Sequence, residues 1–305
     1  MQKLSIISFV SPLLALVCAP ALLGIIAKTK AFFAGRKGPP FLQVYFDIVK
    51  LLKKSAVYST TTTWVFKAGP IVSLAAVGTA CFLVPFGKIG VPLYFTGDIL
   101  LFVYLLGLMR FFTVAAALDT GSAFEGMGAS RDVFFSALSE PVFLLSILAL
   151  SRNSPIFSLN AIFSGAPSFS MAPAVLAGIS IFGVMLAENA RIPVDDPATH
   201  LELTMIHEVM VLDHSGPDFA FITYAATLKL WLSALIVVRT LIPLHFGSVA
   251  LDACATALGM FLVSVCIGVV ESVMARLRLL RVPQMFAAAS ALALLALLAG
   301  GGMLP

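Results

Sequence analysis

Leu4-Ser-Ile-Ile-Ser-Phe-Val-Ser-Pro-Leu-Leu-Ala-Leu-Val-Cys-Ala-Pro-Ala-Leu-Leu-Gly-Ile-Ile-Ala27 carries no charged side chain. An α-helix needs about 20 apolar residues to cross a hydrocarbon core of about 30 Å, so this run reads as a membrane helix. It exceeds the apolar segment of a signal peptide, about 7–15 residues. Val17 precedes Cys18, where a lipoprotein cleavage site would need a small residue. Seven further runs of the same kind follow, at 64–87, 97–118, 133–151, 171–188, 219–243, 249–273 and 280–300. The expectation is an all-α polytopic membrane protein of about eight transmembrane helices, forming a single integral membrane domain over 1–305.

Composition agrees. The chain is 60% hydrophobic and 11% charged, with a mean hydropathy of +1.04. Soluble domains carry about 25% charged residues, so a fold of this size with so few must turn apolar surface to lipid. The net charge of +4 does not suggest nucleic-acid binding, because the basic residues sit in short loops between spans. Thirteen of the 19 fall on one side: Lys28, Lys30, Arg36, Lys37, Lys50, Lys53, Lys54, Lys67, Arg131, Arg191, Arg276, Arg278 and Arg281. The positive-inside rule makes that side cytoplasmic and puts both termini outside. The cytoplasmic loops are then 28–63, 119–132, 189–218 and 274–279.

The four cysteines, Cys18, Cys81, Cys254 and Cys266, are scattered through apolar runs without a Cys-x-x-Cys pair. Iron–sulfur and zinc sites need clustered ligands, so these read as small hydrophobes. No phosphate-binding Gly-rich loop, dinucleotide fingerprint or defensible Ser–His–Asp set is present, and no catalytic or metal-binding residue is assigned.

The polar residues concentrate in two cytoplasmic segments. In the first, Gly35-Arg-Lys-Gly-Pro-Pro40 precedes Phe41-Leu-Gln-Val-Tyr-Phe-Asp-Ile-Val-Lys-Leu-Leu-Lys-Lys54. The second part has helical periodicity, with Phe41, Tyr45, Ile48, Leu51 and Leu52 on one face and Lys50, Lys53 and Lys54 on the other. Such a basic amphipathic helix lies on an anionic membrane surface or receives a soluble partner. The second segment, Glu188 to Asp213, holds six carboxylates and one arginine, Arg191. His200, His207 and His214 recur every seven residues, which on a helix would place them on one face, suiting a proton relay or a polar partner surface. Within the spans, Arg110, Glu140, Lys229 and Glu271 stand out. Charges cost about 2.5–3.5 kcal/mol at a membrane helix centre, so they pair or line a polar path. Arg110 with Glu140 is the candidate ion pair.

At these segments the chain resembles the family of respiratory complex I subunit 1 and its hydrogenase-type relatives. Arg36-Lys37-Gly38-Pro39, Leu42-Gln43 and Asp47-Ile-Val-Lys50-Leu-Leu match the family's basic Gly-Pro turn and following helix. Glu188-x-x-Arg191-x-Pro193-Val-Asp195 is similar to its Glu-x-x-Arg-x-Pro-Phe-Asp motif and continues to Glu202-Leu203 and Ser215-Gly216. Leu118-Asp119-Thr-Gly-Ser-Ala-Phe124, Gly128-Ala-Ser-Arg131 and Glu140-Pro141 resemble the membrane subunits of formate hydrogenlyase and hydrogenase-4 more closely than complex I. The chain departs at Val194, where the family has Phe, and at Ala198 and His200, where complex I has acids.

The resemblance implies a membrane anchor that docks a cytoplasmic redox arm and links electron transfer to H⁺ or Na⁺ translocation in a bacterial or archaeal plasma membrane. It implies a coupling path through Glu140, Glu188, Asp195, Glu202, Arg110 and Glu271. Docking would fall to Arg36, Lys37, Gly38, Pro39, Asp47, Lys50, Arg191, Pro193, His207, Glu208 and Asp213. Iron–sulfur clusters would belong to hydrogenase-like or complex I-like partners, with a nickel–iron centre there left open, alongside antiporter-like membrane subunits and the lipid bilayer. This chain would hold no cofactor, with quinone a possible ligand. A quinone-reducing complex and a stand-alone secondary transporter are the competing readings.

Overall fold

The structure is a computed structural model and describes residues 6–152, 154, 156–164, 170–195, 205–242 and 247–300. Its helices are α1 (Val10–Phe33), α2 (Gln43–Leu52), α3 (Trp64–Ala80), α4 (Asp98–Asp119), α5 (Ala123–Ser151), α6 (Leu159–Phe163), α7 (Met171–Glu188), α8 (Gly216–Leu241), α9 (Val249–Val273) and α10 (Val282–Ala299). Seven helical stretches are long and apolar enough to cross a membrane, those built on α1, α4, α5, α7, α8, α9 and α10. α3, of 17 residues, is shorter. The protein is a multi-pass membrane protein.

The expected span at 64–87 is therefore a helix that stops at Ala80. Cys81, Leu83 and Val84 continue it as tight turns, buried to 1% exposure or less. Backbone bonds from Cys81, Phe82 and Leu83 back to Val77, Thr79 and Ala80 satisfy their amides at that depth.

The region before the expected span at 133–151 differs more. α5 begins at Ala123 rather than in a loop reaching residue 132. The polar residues of that stretch, Glu125, Arg131 and Asp132, each have a partner within the fold. Glu125 accepts from Thr120 Oγ1 and, at 3.2 Å, from the Asp213 amide. Arg131 donates to the Met205 carbonyl at 3.1 Å. Asp132 meets Arg110 and His207.

The heptad of histidines does not form a helix face among the described residues. Among the described residues between Asp195 and α8 stands one 3-10 turn, Glu208–Val211. Asp195 accepts from the amides of Ile206 and His207 at 3.2 and 3.1 Å and turns the chain back on itself. His214 lies flat on Phe66, with ring centroids 3.9 Å apart and planes 8° apart. His200 lies outside the described residues.

α8 is the hub, packed against α1, α2, α3, α7 and α9, while α5, α7 and α10 form a second group and α4 joins α3 to α5. α2 is the amphipathic helix expected from the first loop. Tyr45 Oη donates to the Val17 carbonyl at 2.6 Å. Gly24 lets the chain cross α1, since a Cβ there would stand 2.2 Å from the Phe41 carbonyl oxygen.

Candidate functional site

Four spans bring charged groups to one place inside the bundle. Arg110 of α4 is the centre. Its Nη1 donates to Glu140 Oε1 of α5 at 2.7 Å, its Nη2 pairs with Glu188 at the end of α7, and its Nε lies 3.7 Å from Asp132 Oδ2 of α5. Lys229 of α8 reaches Glu188 twice, at 2.8 Å to Oε2 and 2.7 Å to the carbonyl. Ser139 donates to Glu188 Oε1. Guanidinium suits this position, because its planar fork satisfies several carboxylates at once.

The chain of charges continues out of the membrane. Asp132 Oδ1 is 3.1 Å from His207 Nε2, His207 Nδ1 is 3.3 Å from Asp195 Oδ2, and Asp195 Oδ1 is 3.2 Å from Arg276 Nη2. Burial pushes the His207 ring towards neutrality, but its hydrogen bonds to Asp132 and Asp195 and their charges prevail and raise its pKa to about 9. Burial pushes the Asp195 carboxyl up, but the His207 hydrogen bond and charge, the His207 amide and Arg276 hold it below the usual range. Four basic side chains, Lys229, Arg110, His207 and Arg276, are therefore paired with four acidic ones, Glu188, Glu140, Asp132 and Asp195. The array is electrically balanced, which is what a group of this size needs at low dielectric.

One member is open. The Glu140 side chain is 44% accessible, against 11% for Arg110 and 14% for Glu188. It borders a cavity of about 50 Å³ whose other walls include Phe102, Val103, Leu106 and Phe143. That volume admits a few waters at most.

The expected coupling residues Arg110, Glu140, Glu188 and Asp195 are thus brought together. Glu271 is not among them. Its side chain is fully buried between Lys30 Nζ, at 2.8 Å, and Arg191 Nη1, at 3.1 Å. Glu202 lies outside the described residues. Of the expected docking residues, Arg36, Lys37, Gly38, Pro39, Asp47, Lys50 and Asp213 are exposed and Glu208 is half-buried. Arg191 instead serves Glu271, Pro193 is buried with its carbonyl accepting from the Leu277 amide at 2.8 Å, and His207 is a link in the charge chain. Among the described residues no three His, Cys, Asp or Glu side chains are placed to hold a metal ion.

Asp132 and Arg276 carry no site assignment from the sequence alone. Asp132 lies eight residues before Glu140, two helical turns, so the two share a face of α5. That spacing was a usable signal once residues 123–132 were read as helix. A second polar feature lies at the C-terminal end of α1. Lys30, Arg36, Gly38, Pro39, Glu271 and Ser272 help line a cavity of about 500 Å³ there. In the last turn of α8, Arg239 donates to the Phe163 carbonyl and lies 3.3 Å from Asp252 Oδ2.

Comparison with known proteins places these residues in context. The model of the family described as NADH dehydrogenase matches residues 4–300. Formate hydrogenlyase subunit 4 of Escherichia coli (strain K12) is 30% identical over 270 residues, which is 86% of this chain and 87% of that protein. Hydrogenase-4 component C of the same organism is 29% identical over 285 residues, 91% of this chain and 90% of that protein. A chain in the structure of the membrane-bound sulfane sulfur reductase (MBS), an archaeal respiratory membrane complex, superposes with a TM-score of 0.81. It covers 96% of this chain and 99% of that one at 21% identity, a likeness of fold.

Proposed function

The chain belongs to the NADH dehydrogenase family as a complex I subunit 1-like membrane subunit, and from that premise we propose that it anchors and couples a hydrogenase-type energy-converting complex. It receives a cytoplasmic redox arm on the exposed turn Arg36–Pro39 and α2. It passes the consequence of electron transfer into the membrane along the charge chain from Arg276 to Glu140. Electron transfer occurs in partners that carry iron–sulfur clusters and a nickel–iron centre. Ion translocation is completed in antiporter-like membrane subunits.

The observation that carries this reading is the balanced chain itself. A carboxylate nearly half accessible at the middle of a membrane helix is costly when it faces lipid. Glu140 occupies that position at one end of the charge chain whose other end is Arg276, in a segment that the positive-inside rule makes cytoplasmic. The arrangement suits a surface that a neighbouring membrane subunit covers, with Glu140 exchanging a proton across the contact.

The test is isolation in mild detergent followed by reconstitution of the complex in vesicles. Iron–sulfur and hydrogenase-like subunits should co-purify with this chain, and electron flow should drive ion uptake. Glu140→Gln should lower the number of ions moved per electron. A monodisperse monomer that transports a solute in vesicles would defeat the proposal. The quinone-reducing reading has one observation in its favour, the cavity of about 500 Å³ beside Lys30, Arg36 and Glu271. Saturable binding of a quinone analogue to the purified complex, lost in Arg36→Gln, would favour it.

A further inference from the structure

Three observations converge on His207. It is the link between two halves of the charge chain, with Asp132 of α5 on Nε2 at 3.1 Å and Asp195 of the cytoplasmic segment on Nδ1 at 3.3 Å. Both nitrogens face carboxylates, so both must donate, and the ring is held as imidazolium. A quarter of its side chain is accessible, whereas Asp132 and Asp195 are at 10% and 3%. Of these three groups, His207 is the one most open to water.

We infer that His207 is the proton-loading group of the coupling path, taking a proton from cytoplasmic water and handing it to Asp132. This rests on the reading of the chain as a coupling subunit. In the transfer the Nε2–H bond breaks and an O–H bond forms at Asp132 Oδ1. The ring is left neutral and still donates from Nδ1 to Asp195. Net charge is unchanged at that moment, but the pairing of Asp132 with Arg110 is lost, which frees Arg110 to lean on Glu140 and Glu188. Once the proton has moved beyond Asp132, the array is one charge negative and draws the next proton from solution onto Nε2. The groups around the ring fit this cycle. Asp132 faces it from α5 with Arg110 of α4 behind that carboxylate, Asp195 and Glu208 lie on its own segment, and Arg276 stands behind Asp195. Lys229, Glu188 and Glu140 complete the array on the membrane side.

The experiment uses the complete complex in vesicles with a viologen dye as electron carrier, measuring proton and radiolabelled Na⁺ uptake against electrons transferred. His207→Arg keeps a cation between the two carboxylates but cannot release a proton, and His207→Gln removes the charge. Positioned proton-transfer groups contribute about 10²–10⁴-fold, so both variants should lose on the order of a hundredfold in translocation rate. Ions per electron should fall with it. In the wild type the ratio should also decline as pH rises through 9, where the ring loses its proton. A normal ratio in His207→Arg would make the residue a fixed charge only and overturn the inference, as would a ratio in the wild type that stays flat to pH 10. If the wild-type complex moves no ions at all, the coupling proposal itself fails instead.

Discussion

At the residue scale, the decisive property of Arg110 is how many carboxylates it serves. It pairs with Glu140, Glu188 and Asp132, so Glu140→Gln leaves it with two anions and should assemble with little loss of thermal stability in detergent. Arg110→Leu should destabilise by about 3–5 kcal/mol, because removing one partner strands buried charges. A thermal scan of both variants checks the contrast, and equal losses would mean Arg110 depends on Glu140 alone. His214 offers a pH prediction of the opposite kind. Burial against Phe66 lowers its pKa to about 4. In the unfolded chain it titrates near 6.5, so the unfolded state binds the proton first. Stability should therefore fall as pH drops from about 6.5 to 4. His214→Phe should keep the stacking on Phe66 and flatten that part of the acid profile. An unchanged profile would mean the ring is protonated without cost. His207 has the reverse sign: its contribution is complete below about 6.5 and lost as pH passes 9.

At the element scale, the helices follow from apolar length, while their ends follow from partners. The reading of 119–132 as a loop missed the start of α5 at Ala123, because apolar length cannot distinguish a solvated acid from one like Asp132, whose partners sit on α4 and on the segment before α8. His207 and His214 do not share a helix face for a related reason, since spacing alone does not build a helix where Asp195 accepts from the Ile206 and His207 amides. The amphipathic α2 was legible from periodicity, but its seat was not. Gly24 decides it by letting the Phe41 carbonyl approach α1. Gly24→Ala should lift α2 at a cost of about 1–3 kcal/mol. Faster tryptic cleavage at Lys50, Lys53 and Lys54 would report this, and an unchanged cleavage rate would show that α2 is held elsewhere. Orientation is tested by single cysteines. Lys53→Cys should be shielded from an impermeant reagent added outside, and Leu93→Cys, on the exposed stretch before α4, should react. The reverse pattern would invert the positive-inside assignment.

At the scale of the whole molecule, Glu140 is a half-open carboxylate on a surface otherwise suited to lipid. In Glu140→Cys a small membrane-permeant thiol reagent should label the isolated chain and be blocked in the complete complex. Equal labelling in both would place the neighbouring subunit elsewhere. The sequence by itself determined that the chain crosses the membrane repeatedly, which side is basic, and which family its two cytoplasmic motifs resemble. Those properties depend on local composition and on residues adjacent in the chain. It also singled out Arg110, Glu140, Lys229 and Glu271, because an intramembrane charge is costly wherever it falls, and Glu188 through the motif that carries the family resemblance. Only the tertiary structure decided which charges meet. It drew Asp132, His207 and Arg276 into one balanced array with them and sent Glu271 to Lys30 and Arg191 instead. The reason is that buried charges are matched through space, by helices that approach one another at angles and depths no single segment specifies.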